Sequence, residues 1–146
     1  MSTSYLIAID GSEPSLNAVE HVIRDAANRN TPAQIFLVNV QPALPNDVTR
    51  FIDTPTVENY HREAGDTALA AAKEKLKQAG LPFSAHLLIG EAAPAIVEFA
   101  KAKGCNQIVM GTHGFGHLLG LFMGSVTVKV VQLSTVPVVL VKSQQG

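Results

Sequence analysis

The feature that most constrains this chain is an alternation. Short runs that are apolar on both faces take turns with longer runs that are apolar on one helical face only. The short runs are YLIAID (Tyr5 to Asp10), IFLVNV (Ile35 to Val40), FSAHLLI (Phe83 to Ile89), QIVMG (Gln107 to Gly111) and VPVVLVK (Val136 to Lys142). A strand without a polar side has both faces covered, which is the mark of a parallel sheet. Parallel neighbours cannot be joined by a tight hairpin, so the intervening segments must be crossovers, normally helices. The expected order is five strands separated by four helices, giving a parallel sheet with helices on both faces and right-handed crossovers.

The intervening segments fit that expectation. Ser12 is placed to cap the first helix, with Pro14 tolerated in its opening turn. Leu16, Val19, Val22, Ile23, Ala26 and Ala27 then share one face. VENYHREAGDTALAAAKEKLKQAG reads as a long amphipathic helix stopped at Gly80, and APAIVEFAKAKG as a shorter one closed by Gly104. Residues 41 to 56 hold three prolines without a clear period, and read as a long irregular connection. SVTVKVVQLS is ambiguous: Val126, Val128 and Val130 alternate as in a strand, while Val126, Val130 and Leu133 suit a helical face. The need for a crossover between two apolar strands decides for a helix over Ser125 to Leu133.

Composition narrows the function classes. The 146 residues suit one domain with a sizeable core, and the formal net charge of −1 gives no basic surface for nucleic acid. There is no tryptophan, and aromatic residues make up 5%, so base-stacking platforms are not expected. The first residues lack the basic start of a secretory leader, and no apolar run approaches the roughly 20 residues of a membrane span. A single cysteine, Cys105, forms no internal disulfide. A cytoplasmic location is expected, with neither nucleic acid nor membrane as partner.

Chemistry gathers at two strand ends: IDGS after the first strand, and GTHGFGHLLGLFMGS (Gly111 to Ser125) after the fourth. In a sheet of this type ligands sit beyond the carboxyl ends of the strands, where the strand order reverses. Gly111 and Gly114 permit positive φ and a close approach of backbone to ligand. Gly124 and Ser125 open a helix whose unpaired amides attract an anion without a lysine. Binding of that kind is modest, on the order of micromolar or ~8 kcal/mol. The same glycines also suit plain structural turns. The loop is neither a phosphate-binding loop with its G-x-x-x-x-G-K-[ST] pattern nor the dinucleotide fingerprint, which belongs after the first strand. His113 and His117 lie four apart, but the glycines argue against the helix a metal pair needs, so no metal site is expected. No catalytic base or nucleophile can be assigned: Cys105, Glu91 and Glu98 lack partners.

Gly111-x-x-Gly114, nine residues, then Gly124-Ser125 resembles the G-x2-G-x9-G-[ST] signature of ATP-binding universal stress proteins. AIDGSEPSLNAV, GEAAPAIVEFAK, QIVMGTHG and VPVVLVK extend the resemblance over essentially the whole chain. It implies a single Rossmann-like domain over residues 1–146, an open five-stranded parallel sheet in order 3-2-1-4-5, dimers, and adenine-nucleotide binding. On the matching positions, Asp10 corresponds to the acidic residue beside the ribose and Ala8 to the pocket floor. Val40 corresponds to the position whose backbone reads the adenine edge, and Met110 and Gly111 to nucleoside contacts. His113, Gly114, Gly124, Ser125, Val126 and Thr127 correspond to the surroundings of the phosphates. Many relatives carry a basic or polar residue after the second glycine, where this chain has Phe115.

The function implied is that of a dimeric stress-response sensor or regulator binding ATP or another adenine nucleotide, with Mg²⁺ or Mn²⁺ held by its phosphates. Two rivals remain: a slow ATP hydrolase or phosphotransferase, disfavoured by the missing lysine and base, and a nucleotide-independent interaction protein. The apolar stretch Phe115 to Met123 suits either a buried flank or a partner surface. The last strand, Val136 to Lys142, is too apolar for an open sheet edge and is expected to pair across a homodimer axis.

Overall fold

The computed structural model describes residues 2–112 and 124–142. The strands are β1 (Thr3–Ala8), β2 (Ala33–Gln41), β3 (Ser84–Ile89), β4 (Gln107–Gly111) and β5 (Val138–Val141). The helices are α1 (Glu13–Ala27), α2 (Asn46–Thr49), α3 (Thr54–Gln78), α4 (Ala92–Lys103) and α5 (Ser125–Leu133). All strand pairs are parallel and the order is β3-β2-β1-β4-β5. The chain winds outward from β1 in one direction, then returns to its other side at β4. That reversal opens a gap between the carboxyl ends of β1 and β4.

Strand alternation splits the core in two. Tyr5, Ile7, Ile9, Ile35, Leu37 and Val109 point to one face, where they meet Ala18, Val19 and Val22 of α1 and Leu69, Ala72 and Leu76 of α3. Leu6, Phe36, Val38, Ile108 and Met110 point to the other, against Ala93, Ile96, Val97 and Ala100 of α4 and Val130 of α5. Burial on both faces is why the strands show no polar period.

The irregular connection expected over residues 41 to 56 is shorter than the sequence suggested. It contains the single-turn α2, and α3 starts at Thr54, capped by Asp53, whose Oδ1 accepts from the Thr56 amide at 2.9 Å. Among the described residues, five helices therefore stand where four were expected. Pro55 does not block this start because a proline in the first turn lacks only an amide that has no helical partner anyway. β1 ends at Ala8, so Asp10 lies two residues beyond the strand rather than at its last position. α5 forms over the expected residues, but its buried face is Thr127 and Val130, while Val126 and Leu133 are exposed. Of the expected α1 face, Val19 and Val22 are buried; Ala18 joins them and Ala27 is exposed.

The far end of the sheet is closed by polar contacts. The Tyr5 hydroxyl donates to Asp25 at 2.6 Å, and Arg29 Nε donates to the same oxygen at 2.7 Å. Burial, with Asp25 alongside, pushes the Tyr5 phenol up to about 12, and the phenol's hydrogen bond holds the Asp25 carboxyl below the usual range. No helix among the described residues is long and apolar enough to cross a membrane.

Candidate functional site

The carboxyl ends of β1, β2 and β4 and the first turns of α1, α4 and α5 surround a cleft of about 360 Å³. Nine positions singled out in the sequence border it together: Ala8, Asp10, Val40, Met110, Gly111, Gly124, Ser125, Val126 and Thr127. His113 and Gly114 lie outside the described residues, as does the stretch Phe115 to Met123. The sequence reading missed Ser12, Pro14 and Ser15 on α1 and its cap, Val38 on β2, Ala92 and Ile96 on α4, and Thr112 after β4. The α4 residues form a wall only because the β3–α4 turn folds back over the sheet. Strand alternation could have found Val38, two residues before Val40 and therefore on the same face.

The β1–α1 turn is built around Asp10. Its Oδ1 accepts the Ser12 amide at 2.9 Å and also the Ser12 hydroxyl, while Gly11 takes φ +86 to reverse the chain. Ser12 in turn caps α1, its hydroxyl oxygen accepting the Ser15 amide at 3.4 Å. Asp10 is thus both the turn residue and a wall of the cleft. Oδ2 makes no hydrogen bond to the described residues and is available to a ligand hydroxyl.

Val40 presents backbone rather than side-chain polarity. The Ile9 amide donates to the Val38 carbonyl at 2.8 Å, and the Gly90 amide donates to the Gln41 carbonyl at 2.9 Å. Backbone groups alternate sides along a strand, so those of Val40 point, like Val38, towards β1. But β1 has ended at Ala8, paired with Val38. The Val40 amide and carbonyl therefore face the cleft, a donor and an acceptor suited to one edge of a planar heterocycle. Asn39 keeps the neighbouring turn in place, Nδ2 donating to the Ile9 carbonyl at 2.7 Å.

The two glycines differ in what requires them. A Cβ at Gly111 would run into the backbone carbonyl of Pro14, so β4 and the first turn of α1 touch only because no side chain intervenes. Gly111 has no positive φ among the described glycines that do, so close packing rather than left-handed backbone is its role. At Gly124, φ is −58 and a Cβ would meet no described residue within 4 Å. Gly124 precedes α5 without any side-chain cap, and no acidic residue follows in the first turn. Among the described residues, no side chain caps the opening amides of α5, which border the cleft.

Charge is sparse here. Asp10 is the one ionisable residue among the described residues bordering the cleft, and no group of three or more metal-ligating side chains occurs among the described residues. Cys105 lies elsewhere, buried, with its thiol pushed up to about 11 by desolvation.

Comparison with known proteins agrees with this architecture. Universal stress protein YxiE of Bacillus subtilis is 32% identical over 148 residues, covering 97% of this chain and 100% of its own length. The solved structure of MJ0577, a protein of Methanocaldococcus jannaschii, superposes with a TM-score of 0.77 at 26% identity, covering 99% of this chain and 98% of that one. An Arabidopsis thaliana universal stress family protein solved with AMP bound has a TM-score of 0.69 at 20% identity, covering 97% and 92%. Structures with the same fold were also solved in complex with cAMP, at TM-score 0.68, and with dAMP, at 0.65. The sequence model of the universal stress protein family matches residues 1–142, and the chain belongs to that family.

Proposed function

We propose that this protein binds an adenine nucleotide, ATP among the candidates, in the cleft between β1 and β4, and serves as a regulatory or sensor protein in a stress response. The observation that carries the reading is the pairing across one cleft of two backbone features that no described residue satisfies: the Val40 edge and the start of α5. They differ in kind, one suited to a neutral ring and the other to an anion. Asp10 stands beside the cleft as an acceptor for ribose hydroxyls. A volume of about 360 Å³ suits a nucleoside-sized ligand. Relatives of the same fold solved with AMP, cAMP and dAMP support the choice of adenine. Gly124-Ser125, as the end of the glycine signature, supports placing the protein with the nucleotide-binding members.

The test uses freshly purified protein, denatured, with released small molecules identified by mass spectrometry, together with titration of added nucleotides. Gly124→Val keeps the fold, because the position has ordinary backbone angles and open space. It is expected to lose retained ligand and weaken added nucleotide at least tenfold, about 1.4 kcal/mol. Unchanged binding in Gly124→Val would remove the α5 terminus from the site.

In the same reading the protein is a homodimer formed through β5, over the segment Val136 to Lys142. β5 is an edge strand whose four residues are only partly buried, and Val131 and Leu133 at the end of α5 are 46% and 47% exposed. Sedimentation at micromolar concentration is expected to give twice the 15.5 kDa chain mass. A monomer there would refute the β5 interface.

A further inference from the structure

We infer that the sugar end of the cleft is open, so that the protein accepts an adenine nucleotide whose 2′- or 3′-oxygen carries an uncharged group and rejects one phosphorylated there. This rests on the nucleotide reading above, with Asp10 beside the ribose. A second hollow of about 600 Å³, open to solvent, shares Asp10 with the cleft. It is also bordered by Gly11 of the β1–α1 turn, Gln41 at the end of β2, and Tyr60, Glu63 and Thr67 of α3. Successive residues of a strand point to opposite faces, so Val40 borders the cleft on the α4 side and Gln41 the hollow on the α3 side. β1 has stopped at Ala8, so at Asp10 a turn rather than a strand parts the two.

Small residues leave the room. A Cβ on Gly11 would meet Ala68 at 3.4 Å, so turn and helix already touch there, while Ala64 and Ala68 send no long side chain into the hollow. A ribose has two neighbouring hydroxyls. Asp10 Oδ1 accepts the Ser12 amide at 2.9 Å, which leaves Oδ2 for one of them. A group on the other oxygen then leaves through the hollow without displacing the base. The ring of Tyr60, 53% exposed, offers such a group an aromatic surface. Charge sets the limit. Among the described residues Asp10 and Glu63 border the hollow, and no lysine, arginine or histidine does. At about 100° per residue, Arg62 lies on the far side of α3 from Tyr60, Ala64 and Thr67. Lys75 is engaged with Glu20 of α1 at 2.8 Å, and Arg50 reaches Asp47 at 3.7 Å. A phosphate in the hollow, with about −1.5 to −2 charges at neutral pH, would face two carboxylates.

The experiment is calorimetric titration of the full-length chain near neutral pH with AMP, 2′(3′)-O-(N-methylanthraniloyl)-AMP and adenosine 3′,5′-bisphosphate. The anthraniloyl ester is expected to bind within about threefold of AMP, and the bisphosphate at least about tenfold more weakly. A weaker ester closes the hollow and overturns the inference; a bisphosphate nearer to AMP overturns its charge limit. Both results leave the nucleotide reading intact, because AMP still binds. If AMP itself does not bind, the nucleotide reading fails, and the inference with it. Thr67 and Glu63 are exposed, so substitutions there leave the core packed. Thr67→Trp fills the hollow and is expected to weaken the ester relative to AMP by about tenfold. Glu63→Lys is expected to strengthen the bisphosphate relative to AMP by about fivefold. An unchanged ester ratio in Thr67→Trp takes the substituent out of the hollow and overturns the inference. An unchanged bisphosphate ratio in Glu63→Lys overturns the charge argument.

Discussion

Two helices begin at the same cleft, and they begin differently. α1 is complete in itself: Ser12 caps it, Glu13 occupies its first turn, and Asp10 holds the cap in place. α5 has Gly124 before it, no side-chain cap, and no acidic residue in its first turn. Both termini carry the same backbone dipole, so the difference lies only in which partner satisfies it. α1 uses its own chain for that purpose. No described residue does the same for α5, and in the proposed reading a ligand takes that place.

The largest expected effect tests the packing of β4 against the α1 start. Gly111→Ala drives a methyl group into the Pro14 carbonyl, where β4 and the α1 start are in contact. It should lose about 3 kcal/mol in urea unfolding or fail to fold. Gly124→Ala should change stability by less than about 1 kcal/mol. Equal losses in the two variants would erase the distinction between a glycine kept for packing and one kept for a ligand.

Ser12→Ala removes the α1 cap and the hydroxyl bond to Asp10, leaving the backbone amide at position 12 to hold that carboxylate. About 1 kcal/mol of stability should be lost in the same measurement. Nucleotide affinity should fall only a few-fold, on the order of 0.5–1 kcal/mol, because the ribose acceptor is loosened rather than removed. A loss of binding as deep as that of Gly124→Val would mean that the α1 turn, not α5, is the principal anchor.

The smallest effect on stability is the most direct comparison. Gly124→Asp gives α5 the kind of cap that α1 already has. It should raise stability by about 0.5–1 kcal/mol, since aspartate both caps and complements the dipole. Phosphate binding should be blocked by the same carboxylate. A variant that is more stable and still binds AMP would show that the α5 amides are not the phosphate site.

Much of this site was legible before any coordinates. Asp10, Val40, Gly111 and Gly124-Ser125 stand at strand ends or helix starts, and local pattern marks such places well. Ala92 and Ile96 were not legible as cleft residues, because their helix reaches the site through a crossover that sequence spacing does not measure. The two glycines looked alike in the sequence; only the position of the Pro14 carbonyl separates them. On α5 the helical state was inferred from topology, yet Val126 and Leu133 were assigned to the wrong face. A nine-residue helix rich in valine matches more than one face, and neighbouring α4 decides which one is covered.

The sequence by itself determined the class of fold. Five strands that are apolar on both faces need cover on both sides, and parallel pairing through helical crossovers supplies it. It also determined that the stretch from Gly111 to Ser125 carries no lysine or arginine. Tertiary structure decided what those segments do. Because β1 stops two residues before Asp10 while β2 continues to Gln41, the Val40 amide and carbonyl lose their strand partner and open onto the cleft. That offset between two neighbouring strands follows from packing and register, which no local pattern encodes.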